Sequence, residues 1–263
     1  MRMVRQSKSV LWYGVLCVGF LGMSHAAHGQ APAGQVVPQA AQQLLALANQ
    51  ARANTGGGAL QWDDALAAAA RDHCLRMAAE GQIAHRYGGE DDLSTRAGKA
   101  GAHFDLIEEN VAVGSHPESI HQGWLDSPEH RANLLNPAID RVGIGVVSSQ
   151  GVLFAVADYA HAVEALSQTE VEAKFAALLR ARGVMVMRDT SEARTYCMSS
   201  GRYQGADPPD FLLRWQNPDV TRLPQPLVEQ LAVGRYHRAA VGSCPPQDVN
   251  GAFTVYRVAV LLY

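Results

Sequence analysis

The sequence predicts an α+β protein in two parts: a layered region over residues 39–162, then a smaller α+β unit over 163–263. Three observations carry this. Helical Ala/Leu-rich patterning fills residues 39–81. Two apolar runs, "VGIGVV" and "VLFAVADYA", then follow with only "SSQG" between them, the mark of a hairpin. A second helical run precedes a second apolar pair, "RYHRAAVGSC" and "FTVYRVAVLLY", at the end of the chain. Helices first and strands last, twice over, is the order of an α+β fold.

Residues 1–29 read as a signal peptide. Arg2, Arg5 and Lys8 precede "VLWYGVLCVGFLGM", an apolar run too short for a comfortable membrane span, and small residues follow in "SHAAHGQ". Cleavage fits after Ala26 or after Gly29; the alternative is a retained N-terminal anchor. The expected location is extracytoplasmic, secreted or periplasmic, with no stable membrane span after cleavage. Residues 30–38 look like a flexible linker. Residues 1–29 hold three basic and no acidic groups, so the remaining chain has 19 basic against 25 acidic residues. That balance excludes the basic face a nucleic-acid partner needs and gives no polybasic lipid anchor.

Cys17 falls within the leader, which leaves Cys74, Cys197 and Cys244. An odd number in an exported chain implies one pair and one spare thiol. Cys197 and Cys244 share the C-terminal third and are expected to pair, with Cys74 a small buried hydrophobe on a helix.

Residues 39–58 favour helix and stop at the Gly56–Gly58 run. A second helix is capped by Asp63 or Asp64 and closed by Gly81. Its Leu66, Ala69, Ala70, His73, Cys74 and Met77 share one face, so His73 reads as a hydrogen-bonded core histidine. Residues 82–110 are polar, with a short helix near "LSTRAGKAG". Ser115 and Glu118 have capping-box spacing before a helix that buries Ile120 and Trp124. Ser127 is placed to cap the next helix, Pro128 to open it and Glu129 to meet its dipole. His130 then lies in the first turn, where the dipole favours its neutral, metal-competent form. Asn136-Pro137 ends the helix. Beyond 162 come the helical "EVEAKFAALLRARG", a strand-like "VMVM" and the second hairpin. Its order echoes residues 117–160, the trace of a degenerate duplication.

His85, Glu109, Glu129 and His130 are the candidate site: two imidazoles and carboxylates hold a divalent metal or move protons. His103, His116, His121 and His161 read as surface or loop groups, and Asp92, Asp105 and Asp126 as solvated or capping acids.

The succession "ANQARANTGGGALQWDDALAAAARDHCLRMA", "AHR", "EENVAVG", "GWLDSPEHRANLLNP" and "RVGIGV" resembles the bacterial CAP domain (SCP/Tpx-like; cysteine-rich secretory, antigen 5 and pathogenesis-related superfamily) over roughly residues 40–162. The resemblance implies an α-β-α sandwich with an open cleft in a secreted protein. It places His85, Glu109 and His130 in that cleft, with Ser127 and Glu129 beside them; the second acid of eukaryotic members falls near Ser127, so it is replaced, with Glu129 two residues away. The expected function is a non-catalytic binding module whose cleft takes zinc or another divalent metal through His85, His130 and Glu109, with an apolar groove for a lipid or sterol. The alternatives are a cell-envelope interaction module using the C-terminal unit, and a weak metal-dependent hydrolase. No GxSxG or HExxH motif supplies a catalytic residue.

Overall fold

The computed structural model describes residues 34–247 and 252–263. The expected signal peptide, 1–29, lies outside the described residues. Gln35–Val36 (β1), in the stretch expected to be a linker, pairs antiparallel with a later strand. Then come helix α1 (Pro38–Asn54), β2 (Gln61–Trp62), α2 (Asp64–Glu80), α3 (Leu93–Lys99), β3 (Phe104–Gly114), α4 (Pro117–Asp126), α5 (Pro128–Leu135), β4 (Arg141–Ser149) and β5 (Val152–Ala162). The sheet runs β1-β4-β5-β3, and β2 lies parallel to β4. The expected hairpin is β4–β5, turning through Gln150 and Gly151, both at positive φ.

Alternation along the strands builds a layer on each face. Val142, Ile144, Val146, Ala155, Ala157 and Tyr159 pack with Leu44 of α1, Trp124 of α4 and Leu134 of α5. Val147, Phe154, Val156 and Val111 point the other way, onto Ala70, Cys74 and Met77 of α2. This is an α-β-α sandwich. The α2 layer sits directly on the strand backbone, because Gly143 and Gly145 of β4 have no Cβ. One added at Gly143 would lie 2.0 Å from the Ala67 nitrogen, and one at Gly145 2.5 Å from the Arg71 Cα.

Local starts follow the sequence in part. Asp63 caps α2 by accepting from the Leu66 amide, and Gly81 ends it in the left-handed conformation. At α4 the cap is one residue later than expected: His116 and Ser119 form the capping box, in place of Ser115 and Glu118. Ser127 stands at the N-cap of α5, but its side chain makes no capping bond. β3 begins at Phe104, inside the stretch read as polar loop. Its Glu108, Glu109 and Asn110 are polar because they serve the edge described below.

Residues 163–263 fold into α6 (Gln168–Arg180), β6 (Met185–Val186), α7 (Ser191–Met198), β7 (Phe211–Asn217), α8 (Gln225–Ala232), β8 (Arg238–Cys244) and β9 (Tyr256–Leu262). Their sheet runs β6-β8-β9-β7, the same path as β2-β4-β5-β3, with β6 parallel to β8 and the other pairs antiparallel. The backbone bonds match as well. Gln61 and Asp63 donate to Asp140 and Val142; Met185 and Met187 donate to His237 and Ala239. In this register Gly145 corresponds to Gly242, whose absent Cβ would meet α7 at the Arg194 nitrogen, 2.2 Å away. Val147 corresponds to Cys244 and Cys74 to Cys197. Cys197 and Cys244 form the expected disulfide, with Cα atoms 5.9 Å apart, while Cys74 is free and buried. The second half rests on the first through Phe253, edge-on to Phe104 at 5.3 Å, and Thr254, whose amide donates to the Phe104 carbonyl at 2.7 Å.

Candidate functional site

The polar stretch of residues 108–110 lies on β3, the edge strand of the sheet. From one side, Asn110 Nδ2 donates to the His130 carbonyl at 2.9 Å. Asn133 Nδ2 donates to Asn110 Oδ1 at 3.0 Å and to the Glu109 carbonyl at 3.2 Å. These bonds pin α5 against β3 and fix where His130 starts. From the other side comes the loop after α2. His73, buried as expected, holds it: Nδ1 lies 2.6 Å from Glu90 and Nε2 2.8 Å from the Ala84 carbonyl. Glu90 also accepts from the Tyr87 amide at 2.9 Å, so the loop carrying His85 is fixed at both ends.

Glu109 is the centre. Its Oε1 lies 2.8 Å from His85 Nδ1, and its Oε2 is bound by the Arg96 guanidinium. His73 Nε2 is 3.9 Å from the same Oε2. The Glu109 side chain is buried, whereas that of His85 is 61% exposed. The carboxylate therefore sits behind the imidazole and orients it, leaving Nε2 as the free ring nitrogen.

The two histidines are pushed apart electrostatically. The Glu109 hydrogen bond raises the pKa of His85 above its ordinary value, against the smaller effects of burial and Arg96. His130 is lowered, first by burial and next by the charge of His85, with Glu129 opposing. Burial and the charge of His85 act in the same direction as that expected of the helix dipole. Glu129 is exposed and acts on both rings only through space.

The structure therefore brings His85 and Glu109 into contact and sets His130 within electrostatic reach. Ser127 stays half-buried at its helix start. The sequence reading missed Arg96, which sits on the short α3, and Asp158, the residue of β5 paired directly with Glu109. Asp158 is wholly buried. A lone acid within the apolar "FAVADYA" was the available signal. His121, read as a surface group, is instead buried on α4, its Nε2 without a partner.

The chemistry of the donors limits what the corner can hold. Each Glu109 oxygen already has one partner, His85 on Oε1 and Arg96 on Oε2. Among the described residues no group of three or more His, Cys, Asp or Glu is disposed to hold a metal ion.

Comparison with known proteins agrees with the fold. The model of the cysteine-rich secretory protein family, CAP, matches residues 45–159. The uncharacterised protein YkwD of Bacillus subtilis (strain 168) is 30% identical over 113 residues, 41% of this chain and 43% of its own length. The uncharacterised membrane protein YlbC of the same organism is 32% identical over 109 residues, 40% of this chain and 30% of its own. The chain thus spans less than half the length of these two relatives. Among solved structures, an extracellular protein containing a SCP domain from Bacillus anthracis str. Ames is 29% identical, covering 47% of this chain and 40% of its own, with a TM-score of 0.44. Residues 45–159, with their sandwich and the Glu109 corner, are a CAP domain of the kind bacterial proteins carry.

Proposed function

We propose that the CAP domain is an extracytoplasmic binding module whose cleft holds a divalent metal such as zinc through His85 and His130. One observation carries the reading: Glu109 takes the inner nitrogen of His85 and leaves the outer one on an exposed ring. A carboxylate behind a metal-binding histidine fixes ring orientation and raises ligand basicity. Glu109 is thus an orienting group and not the third ligand. A metal bound here would supply an electrophilic centre with positions open to a bound partner.

Extracytoplasmic placement is supported by the basic-then-apolar N-terminal sequence and by the Cys197–Cys244 disulfide, which persists in oxidising compartments. No helix among the described residues is long and apolar enough to cross a membrane. The lipid or sterol part of the reading we assign to the hollow beside α7, about 620 Å³, where Tyr196, Met198 and Tyr203 stand among polar residues that include Glu192, Arg202 and Gln204. Size supports it, since ligand pockets run from roughly 300 to 1,000 Å³. The apolar hollow between β1, α1 and β4 encloses only 120 Å³.

The alternative of an envelope interaction module draws on the second half. It repeats the fold, but Tyr196, Leu212 and Leu261 stand where the first half has His73, Glu109 and Asp158.

Zinc titration by calorimetry tests the main reading. The chain should bind about one zinc, and the His85→Ala/His130→Ala variant should lose it. Equal binding by both, or none by the parent, contradicts it.

A further inference from the structure

Behind Glu109 lies a group that the imidazole reading does not use. Asp158 is the one buried aspartate among the described residues. It is directly opposite Glu109 across the β3–β5 ladder, and side chains so paired have Cβ atoms roughly 4.5–5.5 Å apart. No hydrogen-bond donor among the described residues reaches either of its carboxylate oxygens. An ionised carboxylate cannot be sustained in such a place without donors.

The charges around it come from every packed element. Glu109 on β3 and Arg96 on α3 act on it directly. His73 of α2 and His85 of the loop meet the far side of Glu109, at 3.9 and 2.8 Å. Glu90 is engaged with His73. On β4 the facing residue is Gly143, which brings no charge. Arg96 binds Glu109, and that arm is not free to support a second anion. Burial first, then the negative charge of Glu109, raise the pKa of Asp158 well above the ordinary carboxylate range, with Arg96 partly opposing.

We propose that Asp158 is the second acid of this site and holds a proton at neutral pH, donated in a hydrogen bond to Glu109, which fixes that carboxylate between Arg96 and His85. Asp158 is a positioning residue: it touches no ligand and acts through Glu109. The inference depends on the reading above only in taking this corner as the site, and it needs no metal.

Carboxyl carbon NMR of the metal-free full chain, with labelled aspartate, tests it. One aspartate carboxyl should keep the shift of the protonated acid at pH 7, and that signal should vanish in Asp158→Asn. If every aspartate carboxyl titrates in the ordinary range, the proposal is overturned, and the parent spectrum alone decides should the variant fail to fold. The His85 ring gives the second readout. Asparagine is neutral and donates a similar hydrogen bond, so the His85 midpoint should stay in place in Asp158→Asn. A fall in that midpoint would show that a negative charge had been removed, and would contradict a protonated Asp158. Neither readout involves zinc, so the metal reading and this one fail separately.

Discussion

Glu109 shows how much one residue can organise. It is buried, yet it meets Arg96, His85 and Asp158 from three different elements. Its partner His85 was legible in the sequence because both sit in motifs that resemble those of a known family. Asp158 and Arg96 were not, because one lies in an apolar strand and the other on a short polar helix. His121 was misplaced for a related reason. Ile120 and Trp124 define the buried stripe of α4, and a histidine beside that stripe reads as exposed. Its burial lowers its pKa. The folded state thus holds the neutral ring, while the unfolded chain takes up a proton below the usual histidine value of about 6.5. Unfolding then binds protons, and this contribution to stability is lost as pH falls from about 7 to about 5. His121→Leu should therefore lose less melting temperature over that range than the parent. Equal losses in thermal melts would mean His121 is solvated.

At the scale of elements, the contact of α2 with β4 sets the thickness of one layer. Gly143 and Gly145 are required by close approach, since backbone atoms of α2 occupy the space of any side chain. Gly145→Ala should destabilise the protein by roughly 3 kcal/mol or more, because neither strand nor helix backbone can yield easily. Gly123→Ala, in the interior of α4 with open space around it, should instead be neutral or stabilising by up to about 1 kcal/mol. Denaturant melts of both variants check this; equal effects would show that α2 is not seated on the strand. The long periodic helices and the two β hairpins were legible from pattern. The start of β3 was hidden by its site carboxylates. The strand β7 is a seven-residue run crowded by prolines, and α7 spans only eight residues, so neither offers enough periods to read.

Over the whole molecule, the same strand path occurs twice, and the sequence trace of it was only the helix-then-hairpin order. The side chains have diverged while the backbone bonding has not. One consequence is direct. Cys74 faces the Val147 and Val156 backbone, and burial pushes its thiol up to about 12. In the second half the corresponding pair is the disulfide Cys197–Cys244. Val147→Cys should therefore oxidise to a second disulfide with Cys74, stabilising the protein by roughly 2–4 kcal/mol. Two thiols still free after oxidation would contradict the equivalence. Metal binding, on this account, belongs to the first half, at the corner where Glu109 meets His85 and Arg96. The measurement that tests this most directly is the zinc titration followed on the histidine ring signals. The account predicts that the His85 and His130 resonances shift together and saturate at one zinc per chain, while those of His161 and His237 stay in place. Shifts confined to other histidines, or none at all, would contradict it.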